Sequence, residues 1–434
     1  MRRYRILSFL PVLLLAAVLA GPAHARPGGA PALGPALDAW ARPLVERGLL
    51  SGNLLVARRD SVILERSWGL ADAERGVPNA PDLPSCVASI TKPMTVILAI
   101  QLMEEGKLGY TDPLSKWIPG FPEGDSITIE HLLRHRAGIP HRVTTDEDEM
   151  VPHTAADMVE FAKRAERMFR PGEQSSYSSG GFSVLARVLE LAGGASYGDL
   201  LRERLLVPLG MTHTFHPDAN APAGPRAEGY APVLGGVERE PEKNLSFLVG
   251  AGSVFSTARD LHRLLWADVS GRLGVSARQS ALRGAKVSWN GSTSGYRAFA
   301  EYDTTTGHAI VFAGNLHCGA VDQMRDAVRA LLAGETPTPP ALPPAHAAHV
   351  APDLLRSYEG FYDVAGNPRL EVRATDTGLD VNGWALVSMS DSTFFSLRDF
   401  GTVKAVGSGA GPIERFDWML GGQAWPCPRV GDLP

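Results

Sequence analysis

Two residues with the chemistry of a nucleophile and a base stand three positions apart, Ser89 and Lys92. The apolar run over residues 94–100 follows them, which predicts a helix that starts near Ser89 and is buried on nearly all sides. Residues three apart are neighbours on one helix face, so the hydroxyl and the amine should lie side by side. Desolvation favours the neutral form of a buried lysine, and a neutral amine can accept the serine proton.

The surroundings of this pair make the pattern more specific than its four residues alone. Ser-x-x-Lys is the nucleophile signature of β-lactamases and penicillin-binding proteins. Residues 88–95, Ala-Ser-Ile-Thr-Lys-Pro-Met-Thr, and residues 102–108, Leu-Met-Glu-Glu-Gly-Lys-Leu, resemble the serine β-lactamase-like family. That family contains class C β-lactamases, D-alanyl-D-alanine carboxypeptidases and class VIII carboxylesterases. The resemblance implies that Ser89 is acylated by the substrate and that water then releases the acyl group.

A second segment, Tyr-Ser-Ser at residues 177–179, resembles the Tyr-x-Asn motif of the family. The resemblance implies that Tyr177 lies close to Lys92, where a neighbouring cation lowers the pKa of the phenol. Its phenolate would take the serine proton and later protonate the leaving group, so Tyr177 is the third predicted catalytic residue. Ser179 replaces the asparagine of the motif, and we predict that this shorter polar group binds the substrate amide more weakly.

The third segment, Trp289-Asn290-Gly291-Ser292, aligns with the Lys-Thr-Gly or His-x-Gly strand of the family. Gly291 would let the substrate approach the strand backbone closely. The resemblance also implies an oxyanion hole built from the backbone N–H groups of Ser89 and Ser292. Trp289 is a departure from the motif, because an indole carries no positive charge and suits a neutral, apolar acyl or alkyl group. We predict that these four residues bind the substrate.

The motifs are compatible with two enzyme functions and one binding function. Class VIII esterases that look like this family can carry Trp-Gly-Gly at the third segment, so a carboxylic ester is the preferred substrate. The alternative within the same class is a D-amino-acid peptidase or weak β-lactamase that acts on peptidoglycan-like amides. A catalytically silent binding protein is the alternative of another class, and the changes at Ser179 and Trp289 motivate it. All three need a small molecule and no cofactor.

Histidines at metal-ligand spacing do not complete a metal site in the sequence. His131 and His135 stand four apart, but no glutamate follows the first histidine as in the zinc motif His-Glu-x-x-His. The segment His213-x-x-His216-x-Asp218 also lacks a full ligand set. We therefore predict no bound metal.

The order of the predicted elements indicates an α/β (α+β) fold for residues 37–334. Residues 53–57 and 62–65 form an early hairpin, and residues 287–290, 296–302 and 308–313 form late strands. The region between them is mostly helical. We predict an antiparallel sheet flanked by helices with an inserted all-helical subdomain. The resembled β-lactamase/transpeptidase-like fold has the same order of elements, and the resemblance covers roughly residues 50–332.

The C-terminal part of the chain is predicted to be a separate domain. Residues 335–350 form a Pro-rich linker with some stiffness. Residues 351–434 contain short alternating strands with glycine-rich turns, which predicts a small all-β domain, a barrel or a sandwich. It resembles the β-barrel appended to many members of the family. We predict no chemistry in it.

The first 25 residues are predicted to be a secretory signal peptide. Arg2, Arg3 and Arg5 precede an apolar run over residues 6–20, and residues 23–25, Ala-His-Ala, form a small-x-small cleavage site. Residues 26–36 would follow as a linker rich in proline, glycine and alanine. The mature protein is expected to be exported, either periplasmic or secreted, with no membrane span after signal removal.

Composition limits the partners of the chain. Its 434 residues carry a formal net charge of −5, which argues against binding to nucleic acid or to an anionic membrane. The three cysteines, Cys86, Cys318 and Cys427, are too few for a disulfide framework, and the sequence leaves open whether any two are bridged. It leaves the oligomeric state open as well.

Overall fold

The computed structural model describes residues 33–217, 225–241, 243–273, 286–364, 369–407, 413–420 and 423–433. The predicted signal peptide lies outside these residues, as does most of the predicted linker 26–36. The linker prediction is wrong at its end, because residues 33–36 already belong to the first helix, Leu33–Glu46. Leu37, Trp40 and Leu44 recur at helical spacing and are buried in a hydrophobic cluster, which anchors this helix.

Most of the helices lie between the early and the late strands of the chain. Short 3₁₀ turns occur at Ala88–Ile90, Leu114–Lys116, Asp148–Met150 and Leu245–Leu248, and Arg202–Leu206 is a π-helical turn. In chain order the α-helices are α1 Leu33–Glu46, α2 Thr91–Glu104, α3 Ile129–Leu133, α4 Ala155–Arg164, α5 Ser179–Gly193, α6 Tyr197–Leu201, α7 Val207–Leu209, α8 Ala258–Val269, α9 Ala320–Leu332 and α10 Pro352–Ser357.

A five-stranded antiparallel sheet joins the two ends of the domain predicted over residues 37–334. Its strand order is β2-β1-β11-β10-β9, and the early strand β1 pairs with the late strand β11, with Leu55 opposite Val311. The strands up to this point are β1 Gly52–Arg58, β2 Ser61–Trp68, β3 Leu70–Asp72, β4 Val77–Pro78, β5 Ser85–Cys86, β6 Tyr230–Val233, β7 Gly236–Arg239, β8 Phe255–Ser256, β9 Lys286–Thr293, β10 Tyr296–Asp303 and β11 His308–Gly314.

Both faces of this sheet are covered by helices. Successive side chains of a strand point to opposite faces, so Leu54 and Val56 pack in the cluster that contains α1 and α9. Leu55 and Ala57 pack in the other cluster, with α2, α5 and α8. The predicted antiparallel sheet flanked by helices is confirmed.

The region inserted between the early and late strands is mainly helical, and it also carries the β6–β7 hairpin. Its central helix is α2, whose apolar side chains are buried on nearly all sides as predicted. The short pair β5–β8 ties the segment before Ser89 to the segment before α8, with Ser85 opposite Ser256. This pairing holds the N-terminal end of α2 beside residues 250–254. None of the described helices has the length and apolar character needed to cross a membrane.

The C-terminal domain is a closed eight-stranded barrel, so the barrel alternative of the prediction is confirmed. It closes because β12 pairs with β19. Its own core contains Tyr362, Val372, Phe394 and Phe416, which are fully buried. The strands are β12 Gly360–Tyr362, β13 Leu370–Thr375, β14 Gly378–Val381, β15 Trp384–Ser390, β16 Thr393–Ser396, β17 Gly401–Val406, β18 Arg415–Leu420 and β19 Gln423–Gly431.

Candidate active site

Ser89 lies in the turn Ala88–Ile90, directly before α2 begins at Thr91. This position agrees with the predicted helix start. Ala88 has a φ of 46°, a left-handed conformation that few non-glycine residues adopt. Backbone strain of this kind concentrates at functional sites and persists only where the surroundings enforce it. Here Val87 N–H donates to Val254 O at 2.9 Å, which holds the segment before the turn in place.

The Lys92 amine is buried among oxygen atoms. Its Nζ is 3.3 Å from Ser89 Oγ, 3.1 Å from Ser179 Oγ and 2.9 Å from Ala251 O. Only 5% of the residue is exposed, and burial lowers the pKa of Lys92 to about 7. A substantial fraction of the amine is therefore neutral near neutral pH, as the sequence analysis anticipated for a buried lysine.

The three oxygens suit a neutral amine, which has two protons and one lone pair. The Ala251 carbonyl can only accept, so it takes one N–H of Lys92. The Ser179 hydroxyl can accept the second. The lone pair is then left to accept a hydrogen bond from the Ser89 hydroxyl. The proton in that hydrogen bond is the one that a general base must remove. Ser179 is 6% exposed, and its hydroxyl contacts Lys92. Its predicted contact with substrate stays a prediction.

Tyr177 contacts both members of the Ser–Lys pair. Its phenol is hydrogen-bonded to the Ser89 side chain, and Lys92 Nζ lies 4.6 Å from its ring centroid. The predicted lowering of the Tyr177 pKa is wrong. Desolvation by the surrounding protein raises the pKa of Tyr177 above its usual value, and the hydrogen bond with Ser89 opposes this shift only in part. The phenol keeps its proton at neutral pH, so Lys92 is better suited than Tyr177 to act as a base.

Two histidines, His135 and His141, pack around the Tyr177 ring. The sequence analysis considered His135 only as a possible metal ligand and did not consider His141. The ring centroids of His135 and His141 are 4.7 Å and 5.5 Å from that of Tyr177. Burial, followed by the charge of Lys92, lowers the pKa of His135 to about 4 and also lowers the pKa of His141. Nδ1 of His135 accepts a hydrogen bond from Ser178 N–H at 3.1 Å, which fixes the segment that carries Tyr177. Both rings are neutral packing partners.

Strand β9 is the edge of the sheet and lies against the turn that carries Ser89. Along this strand Trp289 and Gly291 face inward, whereas Asn290 and Ser292 are exposed. Trp289 is 8% exposed and belongs to the hydrophobic core, and it is not among the residues that line the cavity at Ser89. Its predicted contact with an apolar substrate group therefore stays a prediction without geometric support.

Asn290 and Ser292 face the cavity at Ser89. Asn290 Oδ1 accepts a hydrogen bond from Arg325 Nη1 at 2.9 Å, and Ser292 Oγ is 2.9 Å from His317 Nε2. The hairpin pairs Thr293 with the first residue of β10 across a two-residue turn. Since hydrogen-bonded and non-hydrogen-bonded pairs alternate, the Ser292 N–H points away from β10 to the open edge of the sheet. A free N–H at this edge fits the predicted oxyanion hole.

Gly291 has no room for a side chain, and this gives a prediction. A Cβ at this position would lie 2.0 Å from Val87 O and 3.3 Å from Ala88 Cβ. Gly291→Ala should therefore push β9 away from the turn that carries Ser89. We expect it to cost about 1–3 kcal/mol in the free energy of unfolding and roughly tenfold or more in hydrolytic activity, because positioning is lost. Urea unfolding and steady-state kinetics measure the two effects.

The matched control for this variant is Gly236→Ala, in the β6–β7 hairpin. A Cβ on Gly236 would meet nothing within 4 Å, and its φ is not in the left-handed range. We expect its stability to stay within about 0.5 kcal/mol of the wild type. Equal stability and activity in the Gly291→Ala variant would contradict the close approach of β9 to the turn.

Two of the three predicted catalytic residues, Ser89 and Tyr177, line one cavity of about 830 Å³. Ser89, Tyr177 and Ser179 line it together with Gly291 and Ser292. An adjacent cavity is larger, about 1120 Å³, but neither Ser89 nor Tyr177 lines it. We place the site in the smaller cavity, because chemistry rather than size identifies it. Within the described ranges, no group of three or more His, Cys, Asp or Glu side chains could hold a metal ion.

The cavity also contains residues that the sequence analysis missed. His317 follows β11, and Arg398 comes from the C-terminal barrel, in which no chemistry was predicted. Neither belongs to a motif. Arg398 is more than 300 positions from Ser89 in the chain, so the sequence carried no signal that the two share a cavity.

Comparison with known proteins identifies the family. A family model described as Beta-lactamase matches residues 37–335. Penicillin-binding protein 4* of Bacillus subtilis is 31% identical over 183 residues, which are 39% of this chain and 39% of that protein. The teichoic acid D-alanine hydrolase of Staphylococcus aureus is 25% identical over 221 residues, 51% of this chain and 55% of that protein. The matches thus span about two fifths to just over half the length of these relatives.

A solved structure extends the likeness to most of the chain. The octameric penicillin-binding protein homologue of Pyrococcus abyssi superposes with a TM-score of 0.60 at 19% identity. The superposition covers 91% of this chain and 99% of that one. At this identity the likeness shows a common fold, which includes a domain beyond the hydrolase part.

Proposed function

The chain belongs to the beta-lactamase family of serine hydrolases, and within that family we propose that it hydrolyses carboxylic esters through an acyl-enzyme on Ser89. One observation carries the proposal. The Ser89 hydroxyl contacts the Lys92 amine at 3.3 Å and the Tyr177 phenol in a single cavity. A nucleophile, a base of suitable pKa and an acid are thus together at the place where an acyl group would bind.

The reaction proceeds in two balanced halves. Neutral Lys92 takes the hydroxyl proton of Ser89, and the serine oxygen forms a bond to the ester carbonyl carbon. The C–O bond to the alcohol then breaks. The alkoxide receives a proton either from Lys92 directly or from the Tyr177 phenol, which then takes the proton held by Lys92, so that Lys92 is neutral again. In the second half, water loses a proton to Lys92, attacks the acyl carbon and releases the acid, and Ser89 regains its proton. In this proposal the backbone N–H groups of Ser89 and Ser292 bind the carbonyl oxygen.

The ester is preferred over the amide because of what the site offers to the leaving group. An amine leaves only after protonation, whereas an alcohol is a better leaving group. Tyr177 has a raised pKa and adds little proton donation to that of the protonated Lys92. Ser179 stands where the resembled motif has asparagine, and its hydroxyl contacts Lys92, so no side-chain amide is present there to bind a substrate amide. The relative that is a teichoic acid D-alanine hydrolase is a precedent for hydrolysis of acylated polymers in this family.

We also propose that the protein is exported and works in the periplasm or outside the cell. The support is the sequence pattern of residues 1–25, with basic residues, an apolar run and a small-x-small site. Expression of the full chain in a bacterium tests this. We expect the exported protein to begin at Arg26 by N-terminal mass analysis, and a cell-retained protein that begins at Met1 would contradict it.

The Lys92 mechanism predicts a pH dependence. Burial lowers the pKa of Lys92 to about 7, and only the neutral amine accepts the proton of Ser89. The value of kcat/KM should therefore rise with pH, reach half of its maximum near pH 7 and be constant at higher pH, because this parameter reports the free enzyme. Kinetics between pH 5.5 and 9 with a correction for spontaneous hydrolysis measure it. A profile that is flat or falls with pH would contradict a lysine base.

The experiment that tests the proposed function is a panel of substrates with the wild-type protein. We expect turnover of 4-nitrophenyl acetate and butyrate, and much slower cleavage of a D-alanyl anilide. Cleavage of the anilide in preference to the esters would favour the D-amino-acid peptidase, and rapid loss of a penicillin would favour the β-lactamase. If no substrate reacts and a fluorescent penicillin does not label the protein, the chain is a binding protein.

A further inference from the structure

The barrel is docked on the hydrolase domain by the turn between β16 and β17, residues 397–400. Gly319 N–H donates to Arg398 O at 2.6 Å, and the Cys318 thiol donates to Leu397 O at 3.4 Å. A Cβ on Gly319 would lie 2.4 Å from Asp399 O, so the two backbones are in direct contact. Leu397 also belongs to the hydrophobic cluster that packs against α1 and α9. The turn is therefore fixed relative to the sheet.

This docking places Arg398 in the wall of the cavity that contains Ser89. Arg398 Nε donates to His317 Nε2 at 3.1 Å, and its guanidinium stacks on the ring of Trp384, 3.0 Å from the centroid. Its Nη1 is buried and has no hydrogen-bond partner among the described residues. A guanidinium that is held on two sides and keeps an unused donor is preorganised for an incoming acceptor.

His317 connects this arginine to β9. A guanidinium can only donate, so Nε2 of His317 must be the unprotonated nitrogen, and the Ser292 hydroxyl donates to the same atom at 2.9 Å. Burial, together with the charges of Arg398 and Arg297, lowers the pKa of His317 to about 3, which keeps the ring neutral. The barrel arginine is thereby linked to a residue predicted to bind substrate.

The other cations of the cavity are already paired. Arg142 and Lys243 contact the two carboxylate oxygens of Glu149 at 2.7 Å and 2.6 Å, and Arg297 pairs with a carboxylate of α9. Arg398 forms no ion pair with any carboxylate in the described part of the chain.

Two carboxylates act on the charge of Arg398 from a distance, Asp399 and Glu240. The Asp399 carboxylate accepts hydrogen bonds from Ser396 and Trp418 within the barrel. One oxygen of this carboxylate, Oδ2, is thus engaged within the barrel. Arg398 stays the cation of this cavity that is available to a ligand.

We propose that Arg398 binds a carboxylate carried by the substrate, so that the C-terminal barrel supplies the positive charge that β9 lacks at Trp289. The inference rests on the proposed ester hydrolysis and narrows its substrate class. The substrates are esters with a carboxylate on the part that lies beside Ser292 and His317. Arg398 is a specificity-determining residue, because it recognises a group that does not react.

The test compares two esters that differ only in this charge, 3-acetoxybenzoate and its methyl ester. We expect the wild type to favour the anionic ester at least tenfold in kcat/KM after correction for spontaneous hydrolysis, since one charge-assisted hydrogen bond is worth about that much or more. Arg398→Gln should abolish the preference, mainly through a higher KM for the anionic ester. Arg398→Lys should restore part of it, because the charge is kept and the fork is lost.

The control is Arg415→Gln, which removes an arginine on the barrel surface that is paired with Asp417 outside the cavity. We expect it to keep the wild-type preference. Wild-type kcat/KM values that do not favour the anionic ester, or an Arg398→Gln variant that lowers both esters equally, would overturn the inference.

A wild type that hydrolyses neither ester would refute the proposed function. In that case a binding measurement tests the role of Arg398 separately. Calorimetric titration with 3-hydroxybenzoate should show binding that Arg398→Gln weakens at least tenfold. Equal binding by the two proteins, or no binding by the wild type, would overturn the inference.

Discussion

Replacement of Ser89 by alanine should lower kcat/KM for 4-nitrophenyl butyrate roughly a thousandfold or more, because the assigned nucleophile is lost. The hydroxyl is the atom that Lys92 and Tyr177 both contact, so its removal leaves the base and the acid without a nucleophile. The variant should keep the fold, since Ser89 lies in a turn at the cavity wall and loses only one oxygen. Circular dichroism and urea unfolding verify the fold beside the kinetics.

The matched control is Ser183→Ala, a second serine of the same cavity. Its hydroxyl is buried and has no hydrogen-bond partner in the described part of the chain, so its loss should not harm stability and can raise it by about 1 kcal/mol. Activity should stay within a factor of two of the wild type. If Ser89→Ala kept more than a tenth of the wild-type activity, the assigned nucleophile would be wrong.

Replacement of Lys92 by methionine is expected to have the second largest effect, a loss of about 10²–10⁴-fold in activity, the usual contribution of a general base. Methionine fills a similar volume in the buried site but cannot accept a proton. The residual activity should also lose its rise near pH 7, because that rise belongs to the Lys92 pKa. A variant that is slow but keeps the wild-type pH profile would place the base elsewhere.

The Lys92→Met variant also tests the lowered pKa of the buried amine, through the pH dependence of the free energy of unfolding. The pKa of Lys92 is about 7 in the folded protein and near its ordinary 10.5 in the unfolded chain. Between these values the unfolded state binds one proton more, so the free energy of unfolding rises with pH. Relative to Lys92→Met, the wild type should gain up to about 1.4 kcal/mol per pH unit across this window. Urea unfolding of both proteins at pH 7, 8 and 9 measures it, and a constant difference would contradict the lowered pKa.

Local patterns in the sequence were enough to predict the frame of the site. The spacing of Ser89 and Lys92 and the apolar run after them predicted a buried helix with the pair at its tip, and α2 has this form. The early and late strands predicted a sheet that joins both ends of the domain, and β1 pairs with β11. These features depend on periodicity and on short motifs, which are local properties.

The parts that the sequence did not predict depend on contacts between distant segments. The pKa of Tyr177 is set by the balance between desolvation and the hydrogen bond with Ser89, and desolvation is visible only in the packed structure. The inward orientation of Trp289 depends on which face of β9 meets the core. Arg398 enters the cavity because the barrel docks through one turn, and no pattern in the chain records that contact.

The most direct test of the account is to trap the acyl-enzyme and locate it. The protein is mixed with 4-nitrophenyl butyrate, quenched in acid during turnover, digested and analysed by mass spectrometry. The account predicts a butyryl group on the peptide that contains Ser89, and no such group when Ser89→Ala is treated in the same way. Butyrylation of another residue in the wild type, or equal labelling of both proteins, would contradict it.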